Sequence, residues 1–313
     1  MSESWERDAL QDLLTASLKE QRRARRWGIF FKLLTFAYAT GFILMVFGLI
    51  HASQSEVIST EPHTALVRLQ GVIAPGREGT DSSMLVDGLK AAFDDKNTRA
   101  VILQANSPGG SPVQSGIVYD EIQRLRKAHP KVPLYVVVED VCASGCYYIA
   151  AAADKIYADK ASIVGSIGVL MDGFGFTGAM DKLGVQRRLL TAGSNKGFLD
   201  PFSPLDEGQK AKAQVMLDEI HQQFITAVKQ GRGKRLQDGN PDLFSGMVWS
   251  GATGKQLGLV DELGSVDSVA RDVIKVEKLV DFTPQDSLAD RLARQIGVSA
   301  ATQLSTHLQP QLR

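Results

Sequence analysis

From residue 65 onward, short apolar runs alternate with longer segments whose apolar residues recur every three or four positions. Short apolar runs predict buried strands, and the three-to-four spacing predicts helices. The predicted strands cover residues 65–69, 100–103, 134–138, 155–158, 163–169 and 185–190, and the predicted helices 82–95, 111–128, 144–153, 179–183, 203–231 and 266–274. Strands that alternate with helices indicate βαβ crossovers, so the pattern predicts an α/β domain with a mostly parallel sheet.

The longest predicted helix has clear start signals. Ser203 is suited to the N-cap, Pro204 to the first helical position, and Asp206 to the first turn. The pattern predicts one apolar stripe along this helix, which includes Val215, Phe224 and Val228 among its members.

A different pattern lies near the N-terminus, where residues 33–50 carry no charge. Extended backwards over 29–31, with Lys32 able to snorkel, this stretch meets the ~20 residues that span a bilayer. A cleaved signal peptide is the alternative, but its apolar region would be shorter and Ile50-His51-Ala52 fits a cleavage site poorly. We therefore expect an uncleaved transmembrane anchor at 29–50.

The charges around the anchor predict its orientation. Four arginines at 22, 23, 25 and 26 precede the apolar segment and favour a cytoplasmic N-terminus. The chain is then a single-pass protein of the inner (cytoplasmic) membrane, and its α/β domain is periplasmic or otherwise extracytoplasmic. The expected divisions are a cytoplasmic amphipathic and basic segment (1–28), the anchor (29–50), a linker (51–63), the α/β domain (64–285) and a C-terminal tail (286–313).

The overall charge excludes one class of partner. Lys plus Arg and Asp plus Glu number 35 each, so no net field favours nucleic acid. The only two cysteines are Cys142 and Cys146, which do not make a disulfide framework. They are close enough across a turn to pair, but we expect small apolar fillers rather than a disulfide. No histidine cluster accompanies them, so no metal site is expected.

Two strand-to-helix connections contain unusual residues. Asn106-Ser107-Pro108-Gly109-Gly110-Ser111 follows a strand, and its two glycines leave backbone N–H groups uncovered. Such groups can hold an oxyanion, although an ordinary turn has the same composition. In Cys142-Ala143-Ser144-Gly145-Cys146, Ser144 lies where a nucleophile elbow would place a serine, without the full G-x-S-x-G pattern. Close packing of small residues is the alternative reading.

A serine nucleophile needs a base within reach. The five histidines, His51, His63, His129, His221 and His307, do not lie in loops near the expected elbow, and we interpret them as structural or solvated. Lysine can act as the base where its surroundings favour the neutral amine. Lys196 lies in a loop of small residues directly after a predicted strand, although position alone favours a solvated lysine.

Six stretches in order resemble the signal peptide peptidase A family of membrane-anchored serine proteases, in its short single-copy form. They are N-S-P-G-G-S (106–111), A-S-G-C-Y-Y-I-A (143–150), A-D-K-I-Y-A-D (153–159), V-G-S-I-G-V (164–169), A-G-S-N-K-G-F-L-D-P-F (192–202) and G-L-V-D-E-L-G (258–264). The resemblance implies a Clp/crotonase-like ββα superhelix with a mostly parallel sheet, preceded by one transmembrane helix.

The resemblance also implies a Ser-Lys dyad. Ser144 is the nucleophile, Lys196 the general base, and Ser166 the residue that orients the lysine. Gly109 and Gly145 are the expected oxyanion donors, with Gly110 as a further candidate. Related Clp-type proteases place a histidine near 163–169, and none occurs there. No metal or other cofactor is expected.

Substrates and assembly follow from the same resemblance. The expected substrates are remnant signal peptides and other membrane-associated peptides. The expected assembly is a homo-oligomer, for which the family suggests eight subunits, with active sites near protomer interfaces. Two other readings stay open. One is a crotonase-type acyl-CoA enzyme, disfavoured by the lack of an acidic catalytic pair; the other is a non-catalytic membrane scaffold.

Overall fold

A computed structural model describes residues 3–53, 60–76, 79–237 and 239–284. The first element, α1 (Glu3–Ser53), is one helix of 51 residues. Among the described residues, α1 supplies the one stretch long and apolar enough to cross a membrane, Lys19–Met45, with a mean hydropathy of 1.6. The predicted anchor overlaps this stretch, and the predicted 1–28 segment lies largely on the same helix. The predicted tail at 286–313 lies outside the described residues.

The compact unit Val57–Pro284 is built around an eight-stranded sheet. Its strands are β1 (His63–Gln70), β2 (Thr98–Ser107), β3 (Leu134–Ala143), β4 (Lys155–Ala158), β5 (Ile163–Gly165), β6 (Val248–Ser250), β7 (Glu262–Leu263) and β8 (Leu279–Asp281). The main order is β6-β5-β3-β2-β1-β8, and β4 lies between β3 and β7. Every pairing is parallel except that of β5 with β6.

The helices connect these strands. They are α2 (Ser82–Asp94), α3 (Pro112–Ala128), α4 (Gly145–Ala150), α5 (Thr177–Lys182), α6 (Glu207–Arg232), α7 (Gly251–Gln256) and α8 (Val266–Ser268), which continues as a π-helix through Val269–Ile274. The predicted mostly parallel α/β fold is thus confirmed. Helical crossovers between neighbouring parallel strands are what covers such a sheet.

Alternation along the strands divides the core between the two faces of the sheet. Val67, Leu103 and Val136 belong to the larger cluster, which also takes in buried residues of α2, α3, α4 and α6. Their neighbours Leu66 and Ile102 face the smaller cluster around Val269. Successive strand residues point to opposite faces of the sheet, and both faces of β1 to β3 are buried. The sequences of these strands are therefore almost continuously apolar.

Two expectations about residues 185–206 are wrong. The predicted strand at 185–190 does not form: the segment is exposed, with Leu190 96% accessible, and no strand pairs with it. An extended segment needs a neighbour to satisfy its backbone groups. The long helix begins at Glu207 with Asp206 as the N-cap. The Ser203 hydroxyl donates to Asp200 (2.7 Å) and is not available to cap.

The stripe predicted for α6 holds only at its C-terminal end. Phe224, Ala227 and Val228 are buried, whereas Val215 is 58% exposed. The strands β6 and β8 were not predicted, because three residues are too few to show a period. The predicted strand at 163–169 ends at Gly165 as β5.

Candidate active site

Ser144 occupies a strained turn between β3 and α4. Its backbone has φ 53° and ψ −123°, a conformation that residues with a Cβ seldom adopt. Its N–H donates to the carbonyl of Gly165 (2.9 Å), and its carbonyl accepts from Tyr148 N–H (3.0 Å). The side chain does not cap α4, and the residue is half-buried. The turn therefore presents a hydroxyl that has no structural bond to the helix it precedes.

The glycine loop after β2 lies against this turn. A Cβ built on Gly109 would be 2.8 Å from the Ser144 Cβ and 2.6 Å from the Gly145 nitrogen. Gly109 and Gly110 have φ values of +95° and +151°, which favour glycine. The two motifs that the sequence singled out are therefore in direct contact, and only glycine allows the approach.

Hydrogen bonds distinguish the two glycines. The Gly109 N–H donates to the buried Ser107 hydroxyl (3.1 Å), so it is occupied. Ile73 N–H donates to Gly109 oxygen (2.8 Å) and Ser111 N–H to Ile73 oxygen (2.7 Å). Ile73 and Gly110 are partners in a parallel bridge. In such a bridge the residues on either side of Gly110, Gly109 and Ser111, make the two hydrogen bonds to Ile73. The Gly110 N–H is thereby directed away from Ile73, and its nitrogen lies 3.2 Å from a Cβ built on Gly145.

Ser166 follows β5 on the other side of the serine turn. β5 pairs with β3 so that Gly165 lies opposite Ala143. The residues that follow, Ser166 and Ser144, are therefore side by side where the two strands end. Ser166 also has a positive φ, 51°, and its N–H donates to Met247 oxygen (2.8 Å). The ends of β2, β3 and β5, neighbours in the sheet, therefore bring together Gly110, Ser144, Gly145 and Ser166.

Lys196 lies on an exposed segment of the protomer. It belongs to residues 170–206, which we call the arm, and none of the arm's residues, all of which the structure describes, is buried. The Lys196 N–H donates to Gly193 oxygen (3.1 Å). Its exposed side chain forms no hydrogen bond or ion pair with another described residue. The protomer thus assembles the serine and the backbone donors, but it does not bond the lysine to them.

The two cysteines form a disulfide, which corrects the expectation that they are small apolar fillers. Cys142 and Cys146 both have no exposed surface, and their Cα atoms are 5.1 Å apart. That separation lies within the range that a disulfide spans. The bond joins the end of β3 to the first turn of α4, with Ser144 midway between the two cysteines.

His221, which the sequence suggested is structural or solvated, contacts the residue after Ser166 in the structure. From the middle of α6, its Nε2 donates to the carbonyl of Ile167 (3.0 Å). A mid-helix histidine gives no local signal of such a contact, because only the packing of α6 decides it. Another of the described histidines, His63, has no exposed surface and lies at the start of β1.

Two cavities lie elsewhere on the described residues. One of about 1090 Å³ is lined by residues such as Arg68, Glu139 and Asp267, and one of about 790 Å³ lies in the arm beside Ser194 and Gly197. None of the described residues that line them is a predicted site residue. Among the described residues, no group of three or more His, Cys, Asp or Glu side chains could hold a metal ion.

Comparison with known proteins identifies the family. The family model described as Peptidase family S49 matches residues 126–281. Protease 4 of Haemophilus influenzae is 33% identical over 230 residues, which are 72% of this chain and 36% of that protein. The chain belongs to the signal peptide peptidase A family. Ser144, Ser166 and Lys196 lie inside the matched region, whereas Gly109 and Gly110 precede it.

Further relatives of this family member are longer proteins. The Na(+)/H(+) antiporter NhaA of Brucella abortus is 43% identical over 262 residues, 80% of this chain and 35% of that protein. The chloroplastic serine protease SPPA of Arabidopsis thaliana is 25% identical and matches 64% of this chain and 29% of that protein. The chain therefore spans about a third of the length of these relatives. A solved mutant of the 1510-N membrane-bound stomatin-specific protease aligns with a TM-score of 0.41 at 10% identity, over 72% of this chain and 100% of that one.

Proposed function

We propose that this chain is a membrane-anchored serine endopeptidase in which Ser144 is the nucleophile and Lys196 the general base. The observation that carries the proposal is the strained Ser144 turn, whose hydroxyl does not cap α4 and whose neighbours are backbone N–H groups at glycines. Membership of a peptidase family supports peptide-bond hydrolysis as the reaction. In the proposed reaction the Ser144 oxygen attacks a peptide carbonyl, and water later hydrolyses the acyl-enzyme.

The proposed oxyanion donors are the N–H groups of Gly110 and Gly145. Gly145 is the first residue of α4, so its N–H has no partner within the helix. Gly109 is the weaker candidate, because its N–H already donates to Ser107. Two preorganised backbone donors would stabilise the negative charge that develops on the carbonyl oxygen.

The proposed base requires a contact that one protomer does not make. Lys196 would take the Ser144 proton and return it to the leaving amine, with Ser166 orienting the amine. Lysine acts as a base only when neutral, and exclusion of water favours that form. We propose that the arm meets the serine turn of a neighbouring protomer in a homo-oligomer. The exposed apolar side chains of the arm, among them Leu183 and Leu190 at 77% and 96%, support this assembly.

The proposed substrates are remnant signal peptides and other membrane-associated peptides. The Lys19–Met45 stretch of α1 has the length and hydropathy of a membrane span, which would hold the site near such substrates. The arginines before the apolar segment favour a cytoplasmic N-terminus and an extracytoplasmic catalytic unit. A reporter enzyme fused after residue 60 tests this orientation, and activity of a cytoplasm-specific reporter would refute it.

The deciding experiment is covalent labelling of the full chain in detergent with a fluorophosphonate, followed by mass spectrometry of the labelled peptide. We expect the label on Ser144 and none on Ser144→Ala. Lys196→Ala should lower peptidase turnover by about 10²–10⁴-fold, the usual contribution of a general base. Lys182→Ala, an exposed lysine of the same arm, is the matched control and should stay within about twofold of wild type.

The same assay tests a histidine base. His221→Gln keeps an amide N–H that can donate to the Ile167 carbonyl but removes the imidazole. Turnover near wild type in this variant supports Lys196. Wild-type turnover in Lys196→Ala, or a label on another residue, would overturn the proposed dyad. An assembled protein that neither cleaves peptides nor takes the label would favour the scaffold.

A further inference from the structure

We propose that the Cys142–Cys146 disulfide is a positioning device for Ser144, and that the peptidase reaches full activity only with this bond closed. The inference rests on the proposed function of Ser144. Its structural basis is independent: the bond spans the turn symmetrically, with each cysteine two residues from the serine.

The turn is strained, so something must hold it. A serine at φ 53° and ψ −123° is in a sparsely populated region, which persists only where the surroundings over-determine it. Two backbone hydrogen bonds help to hold the turn: Ser144 N–H donates to Gly165 oxygen, and Tyr148 N–H donates to Ser144 oxygen. The disulfide adds a covalent link between the strand before the turn and the helix after it.

The position of the bond favours a role in holding the serine turn over a role in the stability of the whole fold. The cysteines are only 4 residues apart in sequence, and a loop this short constrains the unfolded chain less than a long-range crosslink does. Both cysteines lie in the larger core cluster, which also contains Tyr147 and Ile149 of α4. Opening the bond therefore frees the first turn of α4 from the end of β3 and leaves most of the core in place.

The bond also fits the proposed side of the membrane. Disulfides persist in oxidising compartments such as the bacterial periplasm. Closing the pair removes two protons and two electrons from the two thiols, which a disulfide-donating oxidoreductase takes up through a mixed disulfide. An extracytoplasmic catalytic unit would meet such an oxidant. In a chain retained in the cytoplasm the two thiols would stay reduced, and the serine turn would lack the covalent link.

The test compares the full-length wild type with Cys142→Ala/Cys146→Ala in detergent, below the melting temperature of both. Val138→Ala is the matched control: Val138 is buried in β3 and in the same core cluster, and its truncation leaves the disulfide intact. The readouts are the labelling rate of Ser144 by a fluorophosphonate, kcat and KM on a peptide substrate, and hydrogen exchange of the Ser144 and Tyr148 amides.

We expect the alanine pair to lose about 10- to 100-fold in labelling rate and kcat, as misplacement of a reacting group does, while KM changes by less than about twofold. Both amides should exchange faster than in wild type. In Val138→Ala, Ser144 should be labelled at the wild-type rate, even if the melting temperature falls as much as in the alanine pair. A wild-type labelling rate in the alanine pair, or an equal loss in Val138→Ala, would overturn the inference.

Reduction of the wild type is the second test, should the alanine pair fail to fold. Dithiothreitol closes to its cyclic disulfide as two electrons and two protons pass to Cys142 and Cys146, and the labelling rate should fall and recover on reoxidation. A protein in which Ser144 never reacts would overturn the proposed function alone. The amide exchange would still decide whether the bond holds the turn, since unchanged exchange at Ser144 and Tyr148 would overturn it.

Discussion

At the scale of single residues, the candidate site depends on two glycines that have no side chain. Gly109 lets the loop after β2 touch the serine turn, and Gly110 lets the same loop lie against Ile73, because a Cβ on either would overlap backbone atoms. Ser144 and Ser166 keep their Cβ atoms and adopt positive φ values. Strain of this kind costs on the order of 1–3 kcal/mol per residue and tends to collect at functional sites.

A glycine-to-alanine pair tests this reading. In Gly110→Ala the new Cβ would lie 2.1 Å from the Ile73 carbonyl oxygen, so the loop must shift and carry its N–H away from Gly145. We expect loss of an oxyanion donor to lower kcat by about 10²–10³-fold. The assay is peptide turnover together with a thermal melt.

Gly116→Ala is the control for that prediction. Gly116 lies within α3, and a Cβ there meets nothing within 4 Å. This change should stabilise the protein by about 0.5–1 kcal/mol, because alanine favours the helix, and leave turnover unchanged. Full turnover in Gly110→Ala would remove Gly110 from the proposed oxyanion hole.

At the scale of elements, α4 is anchored behind the serine by a buried polar network. The Tyr147 hydroxyl donates to the carbonyl of Leu259 (2.8 Å), and burial raises the pKa of this phenol. Arg232, at the end of α6, contacts Asp261 (2.7 Å) and donates to the carbonyl of Gly258 (2.8 Å). These bonds tie α4 and α6 to residues 258–261, so the helix that follows Ser144 is linked through Tyr147 to the same segment as α6.

The charge of Asp261 should matter for stability and depend on pH. Burial alone would raise the pKa of Asp261, but the hydrogen bond and charge of Arg232 outweigh burial and lower it below its ordinary 3.8. The stabilisation is therefore complete above that value and is lost as the pH falls through the lower, folded pKa. Asp261→Asn should cost about 3 kcal/mol at pH 7, because Arg232 is left buried without its counter-charge.

Urea denaturation at pH 7 and near pH 3 measures this effect, and the difference between wild type and Asp261→Asn should shrink in acid. The exposed pair Arg271–Asp272 supplies the control, since Asp272→Asn should change stability by less than about 1 kcal/mol. A constant difference at both pH values would show that packing, rather than the carboxylate charge, explains the loss.

At the scale of the whole molecule, the arm and α1 expose apolar surface that a folded protomer alone leaves uncovered. Leu170, Phe174, Leu183 and Leu190 are each more than 75% exposed. Large apolar side chains exposed together on one segment favour an interaction site there. The proposed homo-oligomer would cover the arm and bring Lys196 to a serine turn, whereas a membrane would cover α1.

A charge placed on the arm tests the assembly. Leu190→Asp should dissociate the oligomer, because an unpaired charge at an interface core is costly, and turnover should fall with it. Light scattering in detergent measures the mass, and mixing with Ser144→Ala protomers shows whether active sites are shared. Leu33→Asn, a polar change within α1, is the control and should leave the mass unchanged. Full turnover by a monomeric Leu190→Asp protein would contradict shared sites.

The sequence by itself determined the order of strands and helices from β1 to β5, the apolar N-terminal segment and the two loops that meet at the site. These follow from local rules: strand and helix periods, and glycine where the backbone must approach closely. Ser144, Gly109, Gly110 and Gly145 could be selected this way because each lies in a short motif. The family resemblance added Ser166 and Lys196, whose positions alone carried too little signal.

Only the tertiary structure decided the contacts between distant segments. It closed the disulfide, placed Gly109 against the serine turn, brought His221 from α6 to Ile167, and left the predicted strand at 185–190 without a partner. It also left Lys196 exposed on the arm. Local patterns predict what a segment can form, but whether a side chain finds a partner depends on chain crossings that place residues far apart in sequence side by side.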